Sequence, residues 1–284
     1  MHRRTTSHRS DWNRGPDRSP ASPMFGLRQW RRGRILRKSP IDDATWQGVT
    51  SPLVFVARLH DEERARLKQL ATLFLHEKQI SAAGGLELSL EMKLGIAVQA
   101  CILILELGIE HYEGWVEIIV YPAEFVSRHE FRNPDGLVET DQTAYAGQAW
   151  LRGPVILSWA NVAHAGDVDG VNVVIHEFAH KLDMLNGTAN GFPPLHAGMD
   201  RRVWSEVFNA AYHDLRRRVR AGEHTEIDAY ATESPGEFFA VVSETFFEIP
   251  DIVKTVYPQV YQQLALFYRQ DPASRQLPRE WRLR

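Results

Sequence analysis

Cysteine is almost missing from this sequence: 284 residues contain one, Cys101. No intramolecular disulfide can form, and cysteine-rich zinc modules are excluded because they need several thiolates. A reducing compartment is the natural reading. Long hydrophobic runs are also missing. The longest uncharged apolar stretch, Leu94 to Leu105, is interrupted by Gln99. It is shorter than the ~20 residues a membrane-crossing helix needs and fits a buried core helix. The N-terminal region has no apolar segment of signal-peptide type, and no repeat of fixed period is seen. A soluble, cytoplasmic protein is expected.

Positive charge is scarce outside the N-terminus. Residues 1–38 carry eleven basic side chains against two acidic ones, net +9, whereas residues 39–284 carry 22 against 34, net −12. An acidic body is a poor partner for nucleic acid, so direct nucleic-acid binding by it is not expected. Residues 1–40 read as a basic, disordered tail whose arginine cluster is most simply a solvated one. Met24 opens a more plausible start of the chain, and translation from it is one reading. The rest, 44% hydrophobic and 24% charged overall, is long enough to bury a core without covalent staples.

Helical spacing of Leu67, Leu70, Leu73, Phe74 and Ile80 predicts a helix over 61–80, broken at Ala83-Gly84-Gly85. A second, largely buried helix is expected over 88–107, with Cys101 packed inside it. Residues 115–121, rich in β-branched and aromatic side chains, read as a strand, and so do residues 154–159. Asn133-Pro134-Asp135-Gly136 is a turn signal. Further helices are expected over 171–185, 203–219, 235–247 and 259–268, with Pro250 ending the third of these. Helices before and after a few strands make an α+β fold.

The chemistry concentrates in Val173-Val174-Ile175-His176-Glu177-Phe178-Ala179-His180. On a helix of 3.6 residues per turn His176 and His180 lie about 40° apart, so both imidazoles reach one ion, while Glu177 sits about 100° from His176. This HExxH spacing serves two zinc ligands and a general base. Apolar residues fill the other faces, so Glu177 is costly unless it is paired or working. A catalytic zinc needs a third protein ligand. The extended metzincin pattern fails, because Asp183 and Asn186 occupy its glycine and third-histidine places. A distant carboxylate remains, and the helix after Ser234 offers Glu237, Glu244 and Glu248. Ser234-Pro235-Gly236-Glu237 also fits a capping box, so helix chemistry alone leaves Glu237 and Glu244 evenly matched. Phe238, Val241, Val242 and Phe246 bury that helix, and at least one of its carboxylates is expected to meet a positive partner. Asp183 reads equally as a proton acceptor for a ligating imidazole or as a surface acid. His164, His196, His213 and His224 are expected to be exposed.

The segment 176–187, His-Glu-Phe-Ala-His-Lys-Leu-Asp-Met-Leu-Asn-Gly, with Ile-Asp-Ala-Tyr-Ala at 227–231 and Ser-Pro-Gly-Glu-Phe-Phe-Ala-Val-Val-Ser-Glu at 234–244, resembles the Mlc titration factor A family of zinc-dependent peptidases. Gly-Gly-Leu-Glu-Leu (84–88), Ile-Ile-Val-Tyr-Pro (118–122), Gly-Pro-Val-Ile-Leu-Ser-Trp (153–159) and Phe-Tyr-Arg-Gln-Asp-Pro (267–272) extend the likeness over roughly 24–275. That family is similar to the catalytic domain of anthrax lethal factor, a gluzincin. The resemblance implies a zincin-like α+β fold, mostly helical, with a small mixed sheet beside the HExxH helix, in one metallopeptidase domain over 41–275 followed by a short tail. It implies one Zn2+ held by His176, His180 and Glu237, with Glu177 as catalytic carboxylate and Tyr230, seven residues before Glu237, as catalytic tyrosine. It further implies a peptide or protein substrate, an aminopeptidase-like activity as one form of the reaction, and a Mlc-like transcriptional repressor as partner. A non-catalytic protein that sequesters such a repressor is the alternative. Some relatives carry a histidine after Gly-Leu-Val that is thought to approach the metal. Here Gly136-Leu137-Val138 is followed by Glu139, the substitute available at that place.

Overall fold

The structure, a computed structural model, describes residues 23–122, 153–164 and 167–277. The turn at 133–136 and Glu139 lie outside these residues, as do the first 22. Helix α1 spans Pro23–Lys38, α2 Asp43–Thr50, α3 Val54–Ala57 and α4 Asp61–Glu77. Strand β1, Gln79–Ala82, leads to α5, Leu90–Leu103, then β2, Glu117–Tyr121, and β3, Val155–Ser158, which runs directly into α6, Trp159–Val162. The second half is helical: α7 Val173–Asp183, α8 Arg201–Arg220, α9 Pro235–Glu248, α10 Pro250–Val256 and α11 Pro258–Tyr268. The α+β, mostly helical class expected from the sequence is what the chain adopts.

The sheet has the order β1-β2-β3, with Ile80 beside Ile118 and Ile118 beside Val155. All its pairings among the described residues are parallel, so no strand there makes it mixed. Parallel strands cannot be joined by tight hairpins, and α5 lies in the connection from β1 to β2. Ile118 and Val120 on the central strand are fully buried. Helix α7 packs against α5, β3 and α9, which places the HExxH segment between the sheet layer and the helical half. Phe178, about 200° around α7 from His176, turns into an aromatic cluster, with ring centroids 5.1 Å from Tyr112 and 5.6 Å from both Trp115 and Phe74. The opposite side of the same helix carries the imidazoles.

Two expectations are corrected and a third holds. The helix predicted over 61–80 stops at Glu77; Lys78 is extended (φ −113°, ψ 142°) and Ile80 belongs to β1. An apolar residue at a helical interval is equally an inward residue of a short strand. Residues 23–38, assigned to a disordered tail, form α1. It is held down by Arg28 on Glu113 (2.9 Å), by Arg32 on Glu77 (3.0 Å) and Glu110, and by Ile35 and Leu36 against the core. Composition was a poor guide there because the anchoring acids are far away in sequence. As expected, α9 stops just before Pro250, at Glu248, and Pro250 opens α10 at its first position, where the missing N–H has no helical partner to lose.

Candidate metal centre

Helix α7 starts at Asn172, whose side-chain oxygen accepts the Ile175 N–H at 3.0 Å, as a helix N-cap does. One turn in, the Nε2 atoms of His176 and His180 come within 3.2 Å of each other. Glu237 reaches them from α9, with Oε2 3.0 Å from His176 Nε2 and 3.3 Å from His180 Nε2. These three side chains, each half-buried, form the group among the described residues able to hold a metal ion, their ligand atoms all lying within 4.8 Å of one another.

Glu237 arrives there because the N-terminus of α9 is fastened. Ser234 Oγ accepts the Glu237 N–H at 3.1 Å and Pro235 fills the first helical position. The capping reading is therefore correct for Ser234, while the Glu237 carboxylate turns to the imidazoles. The loop after α7 straps this end in place. Asp183 Oδ2 accepts the Gly191 N–H at 2.6 Å and Trp204 Nε1 donates to the Gly191 carbonyl at 2.9 Å. Gly191 has φ +74°, and a Cβ there would stand 2.5 Å from the Pro235 carbonyl oxygen. Asp183, fully buried, is thus a clamp on this loop and not a surface acid.

The donor set fits a cation. His176 Nδ1 lies 2.7 Å from Glu244 Oε1. That ring nitrogen donates to the buried carboxylate, so in the neutral ring Nε2 presents a lone pair. The lone pair faces a carboxylate oxygen and a second imidazole nitrogen, and three electron-rich atoms in contact need positive charge between them. Two imidazoles and one carboxylate are a zinc-type set. Without a metal, a proton relieves the crowding. Burial opposes charge on His176, but the Glu237 and Glu244 hydrogen bonds outweigh it and raise the ring to about 10. Burial likewise opposes charge on Glu237, and the two histidines override it, holding the carboxyl at about 2.

Glu177 is half-buried on the same face. Burial pushes its carboxyl upward while the neighbouring imidazoles pull it back, leaving it raised. Tyr230 sits in a 3-10 turn, Ala229–Thr232, begun by Asp228, whose Oδ1 accepts the Tyr230 N–H at 2.7 Å. Its ring centroid is 6.0 Å from that of His176 and the residue is 54% exposed, so it borders the centre from the solvent side. Burial, together with the negative charges of Glu237 and Glu177, raises its hydroxyl pKa, which keeps it a hydrogen-bond donor.

The structure therefore brings together all five residues singled out in the sequence. It also separates the two carboxylates that helix chemistry left even. Seven residues apart, Glu237 and Glu244 project from one face of α9 and engage opposite nitrogens of His176, Nε2 and Nδ1. Glu244 is buried and, like Glu237, meets an imidazole, which is the partner expected for at least one of these carboxylates when that ring is protonated. Its other oxygen accepts the Asn172 N–H, and the Asn172 side-chain amide donates to Glu248 at 2.9 Å. This Asn172–Glu244–Glu248 network went unread; the polar residue just before an apolar helix was its available signal. His164, His213 and His224 are exposed as expected. His196 is half-buried and donates through Nε2 to the Phe267 carbonyl at 2.7 Å.

Residues 27–269 match the glucose-regulated metallo-peptidase M90 family. Mlc titration factor A of Salmonella gallinarum (strain 287/91) is 40% identical over 253 residues, covering 87% of this chain and 92% of that protein. The Salmonella typhimurium protein of the same name matches with the same identity and coverage. The Salmonella arizonae protein is 38% identical over 251 residues, covering 87% and 97%.

Proposed function

The chain belongs to the glucose-regulated metallo-peptidase M90 family, and on that premise we propose that it is a zinc-dependent peptidase whose ligands are His176, His180 and Glu237. The observation that carries this reading is the convergence of two imidazole nitrogens and a carboxylate oxygen within 3.3 Å, with a half-buried glutamate next to the first histidine. When bound, the zinc would acidify a water molecule and polarise the peptide carbonyl. Glu177 takes the proton as the water attacks and then delivers it to the departing amine. Tyr230 donates its hydroxyl hydrogen bond to the carbonyl oxygen as negative charge develops there. Glu244 keeps the His176 ring turned with its Nε2 toward Glu237. The reaction takes place in one domain, in the cytoplasm.

The test is metal analysis with peptide-library cleavage on wild type, Glu177→Gln and Glu237→Ala. Wild type should carry one zinc and cleave peptides. Glu177→Gln should keep the metal and lose on the order of 100-fold or more in turnover, and Glu237→Ala should lose the metal. Metal-dependent cleavage persisting in Glu177→Gln would remove the assigned base. The library pattern separates end-trimming, as by an aminopeptidase, from internal cleavage.

A second reading rests on the relatives' name. Proteins called Mlc titration factor A give reason to propose a Mlc-like repressor as a binding partner here too. Partner capture unaffected by chelator and by Glu177→Gln would assign that role to a surface apart from the metal centre.

A further inference from the structure

Helix α1 has two faces of different chemistry. At 100° per residue, Arg28, Arg32, Ile35 and Leu36 fall within one 100° arc, the arc bound to Glu113, Glu77, Glu110 and the core. Leu27, Trp30, Arg31, Arg34, Arg37 and Lys38 fall within a 120° arc turned outward. Leu27 is 66% and Trp30 59% exposed, and the Arg34 guanidinium stands 5.8 Å from the Trp30 ring centroid. Among the described residues none of these four outward cations has an acidic partner, although the body beyond residue 38 has net charge −12. Five more arginines precede the helix in sequence.

We propose that this outward face of α1 docks the protein on an anionic lipid surface, as a peripheral contact. Charge complementarity requires an anionic partner. Leu27 and Trp30, next to the cations, favour a bilayer over a phosphate backbone, since an aliphatic side chain and an indole gain from the acyl–headgroup boundary. The inner face holds the helix on the body, so the outer face is presented ready-formed and needs no folding on contact. No helix of the described residues is long and apolar enough to cross a membrane, which leaves a helix lying in the plane of the interface.

The experiment is co-sedimentation of the full chain with vesicles of phosphatidylcholine alone and of phosphatidylcholine with 30% phosphatidylglycerol, at ~0.1 M salt. Binding to the anionic vesicles alone is expected. Each outward cation should be worth about fivefold in partitioning, so replacing Arg31, Arg34, Arg37 and Lys38 by glutamine should weaken it by roughly a hundredfold or more. Trp30→Ala should weaken it and abolish the tryptophan blue shift on binding. All six positions are exposed, and circular dichroism of the variants confirms that they fold. The proposal is overturned by absence of binding to anionic vesicles. It is equally overturned by undiminished binding of the quadruple variant, which would place the contact in residues 1–22. Binding to an oligonucleotide in place of vesicles would reassign the face to nucleic acid.

Discussion

Replacing Glu244 separates a metal-positioning role from a structural one. Its carboxylate serves two donors, His176 Nδ1 at 2.7 Å and the Asn172 N–H. In Glu244→Ala both are left unmatched. A ligating histidine without its carboxylate partner costs about 10–100-fold in metal affinity, or ~1.4–2.8 kcal/mol. The buried Asn172 N–H costs about 1–3 kcal/mol in stability, partly offset because burial of the Glu244 carboxyl, which raises its pKa, is itself unfavourable. Glu244→Gln has one oxygen for two donors, so it should fall between wild type and alanine. The assay is zinc competition against a chromophoric chelator, with thermal unfolding of the metal-free protein alongside. Asn172→Ala is the control. It removes the helix cap and the Glu248 contact but leaves His176 on Glu244, so stability should drop by about 1 kcal/mol with metal affinity unchanged. If Glu244→Ala loses stability and binds zinc within twofold of wild type, the carboxylate does not orient His176 and the reasoning fails.

Tyr230→Phe keeps the ring and removes the donor; kcat should fall on the order of 100-fold, as for loss of one oxyanion donor, with zinc content unchanged, and equal kcat in steady-state assays would leave Tyr230 a boundary residue only. Gly191→Ala should cost more than about 1 kcal/mol, because φ +74° disfavours a side chain and its Cβ would press on the Pro235 carbonyl; chemical denaturation measures this, and zinc affinity should fall with it since Glu237 follows Pro235. Glu248 is buried and its carboxyl is raised to about 8 by desolvation and by the nearby charges of Asp169 and Glu244, which the Asn172 and Gly170 hydrogen bonds only partly oppose. The folded state then binds the proton more tightly than the unfolded chain, so this group's contribution declines as pH rises from about 4.5 toward 8. Glu248→Gln should therefore gain on wild type with rising pH, by on the order of a few kcal/mol near pH 8.5; unfolding scans at pH 5 and 8.5 giving the same difference would contradict it.

Most of the centre was legible because its signals are local. His176, Glu177 and His180 sit four residues apart at most, and helical period alone puts them on one side of α7. Phe178 and Leu182 mark the buried side by the same count. Ser234-Pro235 announced the start of α9, and the apolar residues Phe238, Val242 and Phe246 announced its burial. What stayed hidden depends on contacts between segments. The two roles of Glu237 and Glu244 differ only in which ring nitrogen each meets, a matter of how α9 lies against α7. Asp183 reads equally as an imidazole's proton acceptor or as a surface acid in the sequence, and only the folded Gly191 loop shows its carboxylate accepting the Gly191 N–H. β1 is four residues long, too short for alternation to declare itself beside a 17-residue helix, and α1 is helical in a segment whose composition alone argues for disorder.

The electrostatics of the centre also bear on the choice between a peptidase and a protein that only binds a partner. Two carboxylates, Glu237 and Glu244, are directed at opposite nitrogens of one imidazole, and a third, Glu177, stands on the same side of α7 as both histidines. Gathering three acids around two histidines in a half-buried site opposes folding through mutual repulsion and desolvation. A surface whose task is to hold a repressor gains nothing from that arrangement. A divalent cation converts the cost into binding energy, and a base beside it has a proton to move. Tyr230 points the same way, because an exposed tyrosine beside the His176 ring is a poor core residue but a well-placed donor to a substrate arriving from solvent. The charge pattern thus favours the proposed catalysis as the property that maintains the site.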